Sequence, residues 1–203
     1  MFKNLIKICL FTSTILLSTN VSGEEITTHR IEVKVNDNII TNYDIYQRIK
    51  LNAIITKSNI DPNNYNNISQ RVVDELIRES LKKEKILEYN ISFTNDEMKK
   101  HEIRFLNNYQ IEKEVLIELF KQNNISYSNF SDFLATELKW QKLIFGLYLR
   151  IISPSEIEIE GLLNTNPNLS RKDAEDIVMQ KQLELKSNKL INDMQNEATI
   201  EYK

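Results

Sequence analysis

The sequence predicts a mainly α-helical protein in which a small N-terminal β-hairpin is completed by a strand from the C-terminal end. Three observations carry this. Apolar residues recur at i, i+3, i+4 and i+7 in several segments, most of them opened by a capping Ser or Thr. Three glycines and three prolines punctuate 203 residues, too few for the turns of a many-stranded protein. Alternation at period two is confined to short segments near 31–40 and 198–203.

In the first of these segments Ile31, Val33 and Val35 alternate with Glu32 and Lys34, one face for burial and one for water. Asn36-Asp37 supplies a tight turn, since both residues tolerate the left-handed conformation, and Asn38-Ile39-Ile40 returns as a second strand. Thr41 caps a helix with Asp44 at the third helical position; it runs to about Lys57 and presents Ile45, Ile49 and Ala53. Residues 58–67, rich in asparagine around Pro62, read as a loop. The next helix covers about 68–89, with Val72, Val73, Leu76, Ile77 and Leu81 on one face. Asn90 ends it in the left-handed conformation.

Thr94 to Glu97 form a capping box that opens a helix carrying Met98, Phe105 and Leu106. A helix over about 112–122 carries Val115, Leu116, Leu119 and Phe120. From about 129 to 152 the chain is at its most apolar. Phe130, Phe133, Leu134 and Leu138 make one stripe, and beyond Trp140 almost every side is apolar. Such a helix is either covered around most of its circumference or forms the floor of a groove. Ser153-Pro154 with Glu156 reads as an N-cap, a first-position proline and a capping acid; this short helix ends near Asn164. Ser170 caps a last helix to about Asn196, after which Ala198, Ile200 and Tyr202 alternate with Thr199, Glu201 and Lys203. A lone hairpin is marginal in water, so this terminal segment is expected to pair with it.

Met1 to Lys7 carries two lysines and no acid, Ile8 to Leu17 is apolar apart from three hydroxyl residues, and Val21-Ser22-Gly23 suits a signal peptidase. Residues 1–23 therefore read as a cleavable secretory signal peptide, its apolar run shorter than the roughly 17–25 residues of a bilayer span. Residues 24–203 read as one module, with an N-terminal helical part over 24–165 and a closing helix and strand over 170–203. Cys9, the only cysteine, lies in the leader, so the mature chain holds no disulfide and relies on its core. Cleavage removes Lys3 and Lys7, two of the 26 basic residues, and none of the 29 acidic ones, which deepens the net charge from −3 to −5. That sign is opposite to the basic face of a nucleic-acid binder. The mature chain is expected to be soluble, with no stable membrane insertion.

The residues offer no catalytic, cofactor-binding or metal constellation. His29 and His101 have no metal-ligand spacing, and no glycine loop is placed to cradle a phosphate. No nucleophile sits in a strand-to-helix elbow or beside a base, and the acids of 112–118 read as a solvated helix face.

The order of motifs resembles one known family. Val35-Asn36-Asp37-Asn38-Ile39-Ile40-Thr41-Asn42-Tyr43-Asp44 is similar to the opening of the SurA chaperone module. Val73 to Ile77, and Tyr89-Asn90-Ile91 through Thr94 to Glu97, look like its second helix and the capped start of its third. Leu138 to Ile152 matches the apolar helix before the family's first isomerase domain, Ser153 to Ile157 the segment leading out of it, and Ala198-Thr199-Ile200-Glu201 its closing strand. The likeness spans essentially the whole mature chain. Between the last two matched segments the family usually inserts one or two parvulin-type prolyl isomerase domains, whereas here Gly161 to Leu169 alone separates them. Asn90 also stands where the family often has glycine.

The resemblance implies a multi-helix, non-enzymatic, cofactor-free chaperone module of the periplasm, acting without ATP. Its partners would be unfolded or nascent outer-membrane polypeptides held in an apolar, aromatic-lined groove. Nine aromatic residues fall between 105 and 148. Of these and the nearby methionine, Met98, Phe105, Tyr109, Phe120, Phe130 and Phe133 are the candidates for the client surface, whereas Trp140, Phe145 and Tyr148 are assigned to the core. Three alternatives remain at this level: a protein related to prolyl isomerases, an adaptor for a single periplasmic partner, and a homodimer that hides the apolar helix surface.

Overall fold

The computed structural model describes residues 29–203, and the expected leader lies outside the described residues. Ile31–Val35 (β1) and Asn38–Thr41 (β2) form the antiparallel hairpin, Val35 opposite Asn38 and Val33 opposite Ile40. Of the two turn residues, Asn36 alone is left-handed, at φ 51. Ile200–Tyr202 (β3) pairs antiparallel with the free side of β1, Val35 against Ile200 and Val33 against Tyr202, giving the order β2-β1-β3. The expected closure of the module by its C-terminal strand is therefore present. Asn36 fastens it. Its N–H donates to the Thr199 carbonyl, its Oδ1 accepts from the Thr199 N–H, and its Nδ2 donates to Glu84, all at 2.9 Å.

Seven helices lie between the strands: α1 (Asn42–Thr56), α2 (Tyr65–Glu88), α3 (Asn95–Tyr109), α4 (Lys113–Gln122), α5 (Tyr127–Tyr148), α6 (Glu156–Thr165) and α7 (Arg171–Glu197). The capping boxes Thr41–Asp44 and Thr94–Glu97 form in full. Lys57, Asn90, Gln110 and Asn124, just past the ends of α1 to α4, all have φ between 50° and 54°. In a chain poor in glycine, these residues accept the modest steric cost of the left-handed position that glycine usually fills.

Four boundaries differ from expectation. Asp61 caps a short 3-10 turn, Pro62–Asn64, that runs straight into α2, so the helix starts at Tyr65 within the predicted loop. Ser126 starts α5 early, and the helix ends at Tyr148 rather than Ile152. The cap of α6 is Ser155, whose hydroxyl accepts from the Glu158 N–H, so Pro154 precedes the helix instead of opening it. The restriction that proline places on the residue before it disfavours helix at Ser153.

Four apolar clusters hold these elements. Val33, Val35 and Ile40 of the sheet pack with Ile45, Ile49, Val72, Ile77 and Leu81 of α1 and α2, and Met194, Ala198 and Ile200 close over them. The second joins the end of α1 to α3, α4 and α5 through Leu51, Ile55, Leu106, Leu116, Phe120, Phe130 and Leu134. The third joins α2, α5 and α7 through Ile86, Trp140, Leu143, Ile144, Leu183 and Ile191. The last is the α6–α7 hairpin, with Ile159, Ala174 and Val178. Between α6 and α7 the chain spends residues 166–170 and nothing more.

One ion pair is buried in this framework. Arg48 of α1 bonds to Glu79 of α2, which also takes Lys83 at 2.7 Å; the Arg48 and Glu79 side chains are 10% and 9% exposed. The Arg48 guanidinium lies 4.9 Å from the centre of the Phe133 ring on α5. Burial pushes the Glu79 carboxyl up, but Arg48 and Lys83 together outweigh it and hold the group below its ordinary value. The native carboxylate thus binds protons more weakly than the unfolded one. Its stabilisation is complete above the unfolded value of about 4.3 and is lost as pH falls through the lower native value.

Two outcomes test the framework. Deleting residues 198–203 uncovers one side of β1 and is expected to cost about 2 kcal/mol, or roughly 4–8 °C in Tm; a truncated chain that melts like the intact one would remove β3 from the fold. Glu79→Gln leaves Arg48 without its buried counter-charge. A loss of about 3 kcal/mol at neutral pH is expected, with a shallower fall of Tm towards acid; an unaltered acid limb would mean that other carboxylates govern it.

Candidate polypeptide-binding trough

On α3, His101, Phe105 and Tyr109 follow at spacings of four and share one face. The capping acid of the same helix fixes that face against α5: Glu97 accepts from the Thr94 N–H at 2.7 Å and from Lys142 Nζ at 2.6 Å. On α5, Phe130 is fully buried, while Phe133, Leu134, Glu137, Leu138, Trp140 and Ile144 line the gap beside α3; of these only Phe133 and Glu137 are not buried. The opposite wall comes from α7, with Leu183 and Ser187; the Trp140 indole N–H donates to Ser187 Oγ at 2.8 Å. The result is an open trough of about 1290 Å³ with α5 as its floor.

A second concavity, of about 710 Å³, lies between α1 and α2 on one side and the same parts of α3 and α5 on the other. Phe105, Tyr109 and Phe133, with the ion-paired Lys82 and Glu137, line both. The three rings therefore form a ridge that the two concavities share. The Phe105 ring centre is 4.8 Å from Tyr109 and 6.1 Å from Phe133. It is also 5.5 Å from Phe130, which in turn is 5.5 Å from Phe120. The ridge thus rests on a buried aromatic base.

This geometry sorts the six candidate residues. Phe105, Tyr109 and Phe133 come together on the ridge, Tyr109 being 41% exposed and the two phenylalanines half-buried. Phe120 and Phe130 are 1% and 0% exposed, which corrects the expectation that they face a client: both sit in the second cluster, closed in by Leu116 and Leu134. Met98 is half-buried against that same cluster and lines neither concavity. Of the three residues assigned to the core, Trp140 is buried and Tyr148 half-buried, but Phe145 is 52% exposed and lines the trough. The reason is axial. Phe145 is seven residues past Leu138 and continues the Leu134–Leu138 stripe, but it stands about one turn beyond Lys142, where the first turn of α3 meets α5 through Glu97.

Sequence reasoning also passed over Ile103 and Leu183 on the two walls and the charged residues between them. One signal for this end of the trough stood in the sequence, at Gly146. An interior helical glycine costs up to about 1 kcal/mol relative to alanine, and a Cβ added at Gly146 meets nothing within 4 Å. No packing among the described residues requires that glycine.

The electrostatics of the trough are mixed. Lys82 pairs with Glu137 and Lys142 with Glu97, both at 2.6 Å. His101 is held below the ordinary histidine value, first by burial and then by the Arg104 charge, with Glu137 pulling weakly the other way. The shift favours the uncharged imidazole. Among the described residues no group of three His, Cys, Asp or Glu side chains converges as a metal site would require, and no helix is long and apolar enough to cross a membrane. What the geometry does offer is apolar and aromatic area, open along its length, with hydrogen-bonding and charged groups at the margins.

One solved structure comes from work on the virulence factor PEB4 and the periplasmic protein Cj1289, two SurA-like chaperones of Campylobacter jejuni. It aligns over 85% of this chain and 98% of its own, at 13% identity and a TM-score of 0.42. No curated protein matches. The profile of the SurA-like N-terminal domain matches residues 3–144, most of the chain, and the protein therefore belongs to the SurA-like N-terminal domain family.

Proposed function

We propose that this protein is a periplasmic chaperone that holds unfolded outer-membrane polypeptides in the trough between α3, α5 and α7, without ATP and without making or breaking bonds. Membership in the SurA-like family supports a chaperone role in general. The observation that carries the finer reading is the aromatic area the trough leaves open: half-buried Phe105 and exposed Tyr109 on the α3 wall, with half-buried Phe133 and exposed Phe145 on the α5 floor. Residues 24–203 act as one module in this reading, after cleavage of a leader over 1–23.

The energetics suit transient holding. Apolar area removed from water contributes about 25 cal/mol per Å², and the ordering of both partners offsets much of it. An open trough lets a client lie across it while the rest of its chain stays disordered. Affinity is then modest and release requires no fuel.

The test separates surface from core. Tyr109→Ser combined with Phe145→Ser is expected to abolish suppression of aggregation of a urea-denatured outer-membrane β-barrel protein, with Tm changed by no more than about 2 °C. Phe130→Ser is expected to lose about 3–5 kcal/mol of stability and its activity together. If the surface double variant protects the client as well as the native chain, the trough is not the holding site. Turnover of a proline-containing peptide would favour an isomerase instead.

A further inference from the structure

The two concavities have a charge surplus that the fold does not use. Three of their cations are matched internally: Lys82 with Glu137, Lys142 with Glu97, and Arg48 with Glu79. Four lining cations have no ion pair among the described residues: Lys100 and Arg104 on α3, and Arg71 and Arg78 on α2. Arg78 donates to Asn188 and Asn192, which leaves its charge unneutralised. Against these stand two lining carboxylates without a cation, Glu184 on α7 and Glu75, which accepts from Asn52. The excess is positive on a chain whose net charge is −3.

Lys100 and Arg104 are the sharpest part of it. They are one helical turn apart on the α3 wall, exposed, and flank the half-buried His101 beside Ile103 and Phe105. Like charges at i, i+4 repel each other across a helix face. A carboxylate lying in the trough relieves that repulsion, and the apolar floor beside it keeps some water out, so the attraction is felt more strongly than on open surface.

We propose that the trough selects client segments in which aromatic or branched apolar side chains are flanked by carboxylates, with Lys100 and Arg104 reading the charge. This rests on the chaperone reading of the same trough and adds to it the class of segment preferred. Apolar contact supplies the bulk of affinity and is indifferent to sequence; the cations bias which stretch of an unfolded chain stays longest.

The experiment uses the full mature chain and three fluorescently labelled peptides of one aromatic-rich sequence, flanked by Asp, by Ser or by Lys. The readout is the ratio of affinities on the same protein. The Asp peptide is expected to bind about threefold to tenfold more tightly than the Ser peptide at low salt, and the advantage is expected to fade as salt is raised. In K100Q/R104Q the ratio is expected to approach one, and in K100E/R104E to invert in favour of the Lys peptide. Neither variant should unfold α3, since each removes a like-charge repulsion or keeps its magnitude, and circular dichroism verifies this. A Ser peptide that binds, with an Asp-to-Ser ratio of one on the native chain, overturns the charge preference and leaves the chaperone reading standing. Failure of all three peptides to bind overturns both.

Discussion

The constraint behind this architecture is that α5 carries more apolar surface than its neighbours can cover. A helix that is greasy on most sides has to be surrounded. Here α2, α3 and α7 reach three of its sides, through Leu134 and Leu138 inward, Leu143 and Ile144 towards α2 and α7, and Phe130 towards α3 and α4. Phe133, in the gap that the two concavities share, is left half-exposed, and Phe145, a turn beyond the start of α3, more than half-exposed. The trough is the uncovered part of the core helix rather than a cavity cut into a finished core.

That arrangement holds only if the walls stay apart, and the polar contacts keep them there. The capping acid of α3 binds Lys142 of α5, so the same carboxylate that starts the helix also sets its distance from the floor. On the far side the Trp140 indole is tied to Ser187 of α7, which satisfies a buried donor while holding the second wall. Behind the ridge, Arg48 bridges Glu79 and the face of Phe133. A buried ion pair is a weak source of net stability but a strong source of geometric definition, since moving either partner leaves a charge without water or counter-charge. The aromatic ridge is therefore backed by groups that resist displacement, even though its outer face is open.

The closing strand contributes in a different way. Residues 200–202 pair with β1 at the opposite end of the sequence, and α7 is held by that pairing at one end and by the first and third clusters along its length. Because α7 is also a wall of the trough, the sheet and the trough are mechanically continuous. The α6–α7 hairpin extends beyond this, with a small cluster of its own around Ile159, Ala174 and Val178.

Much of the fold was legible because its signals are local. The burial of Val33 and Val35 on alternate positions of β1, though not of Ile31 at the exposed start of the strand, the two complete capping boxes and the left-handed Asn90 each follow from a few neighbouring residues. The pairing of the C-terminal strand was legible for a less local reason: a two-stranded sheet needs a third strand, and one candidate existed. Local signals misled where two caps competed, as at Ser153 and Ser155, and where a 3-10 turn merged into α2.

The site was legible as a population and not as individuals. Composition and spacing alone concentrate aromatic residues between 105 and 148 and make α5 too apolar for a solvated helix. Which rings face outward depends on the rotation of each helix, and on how far along it its partners reach. Phe130 and Phe133 are three residues apart on one helix, yet one packs against Phe120 and the other stands on the ridge; Phe145, expected inside, lies outside. Apolar periodicity tells that a face must be buried, but the number of neighbours available to bury it is a property of the assembled fold.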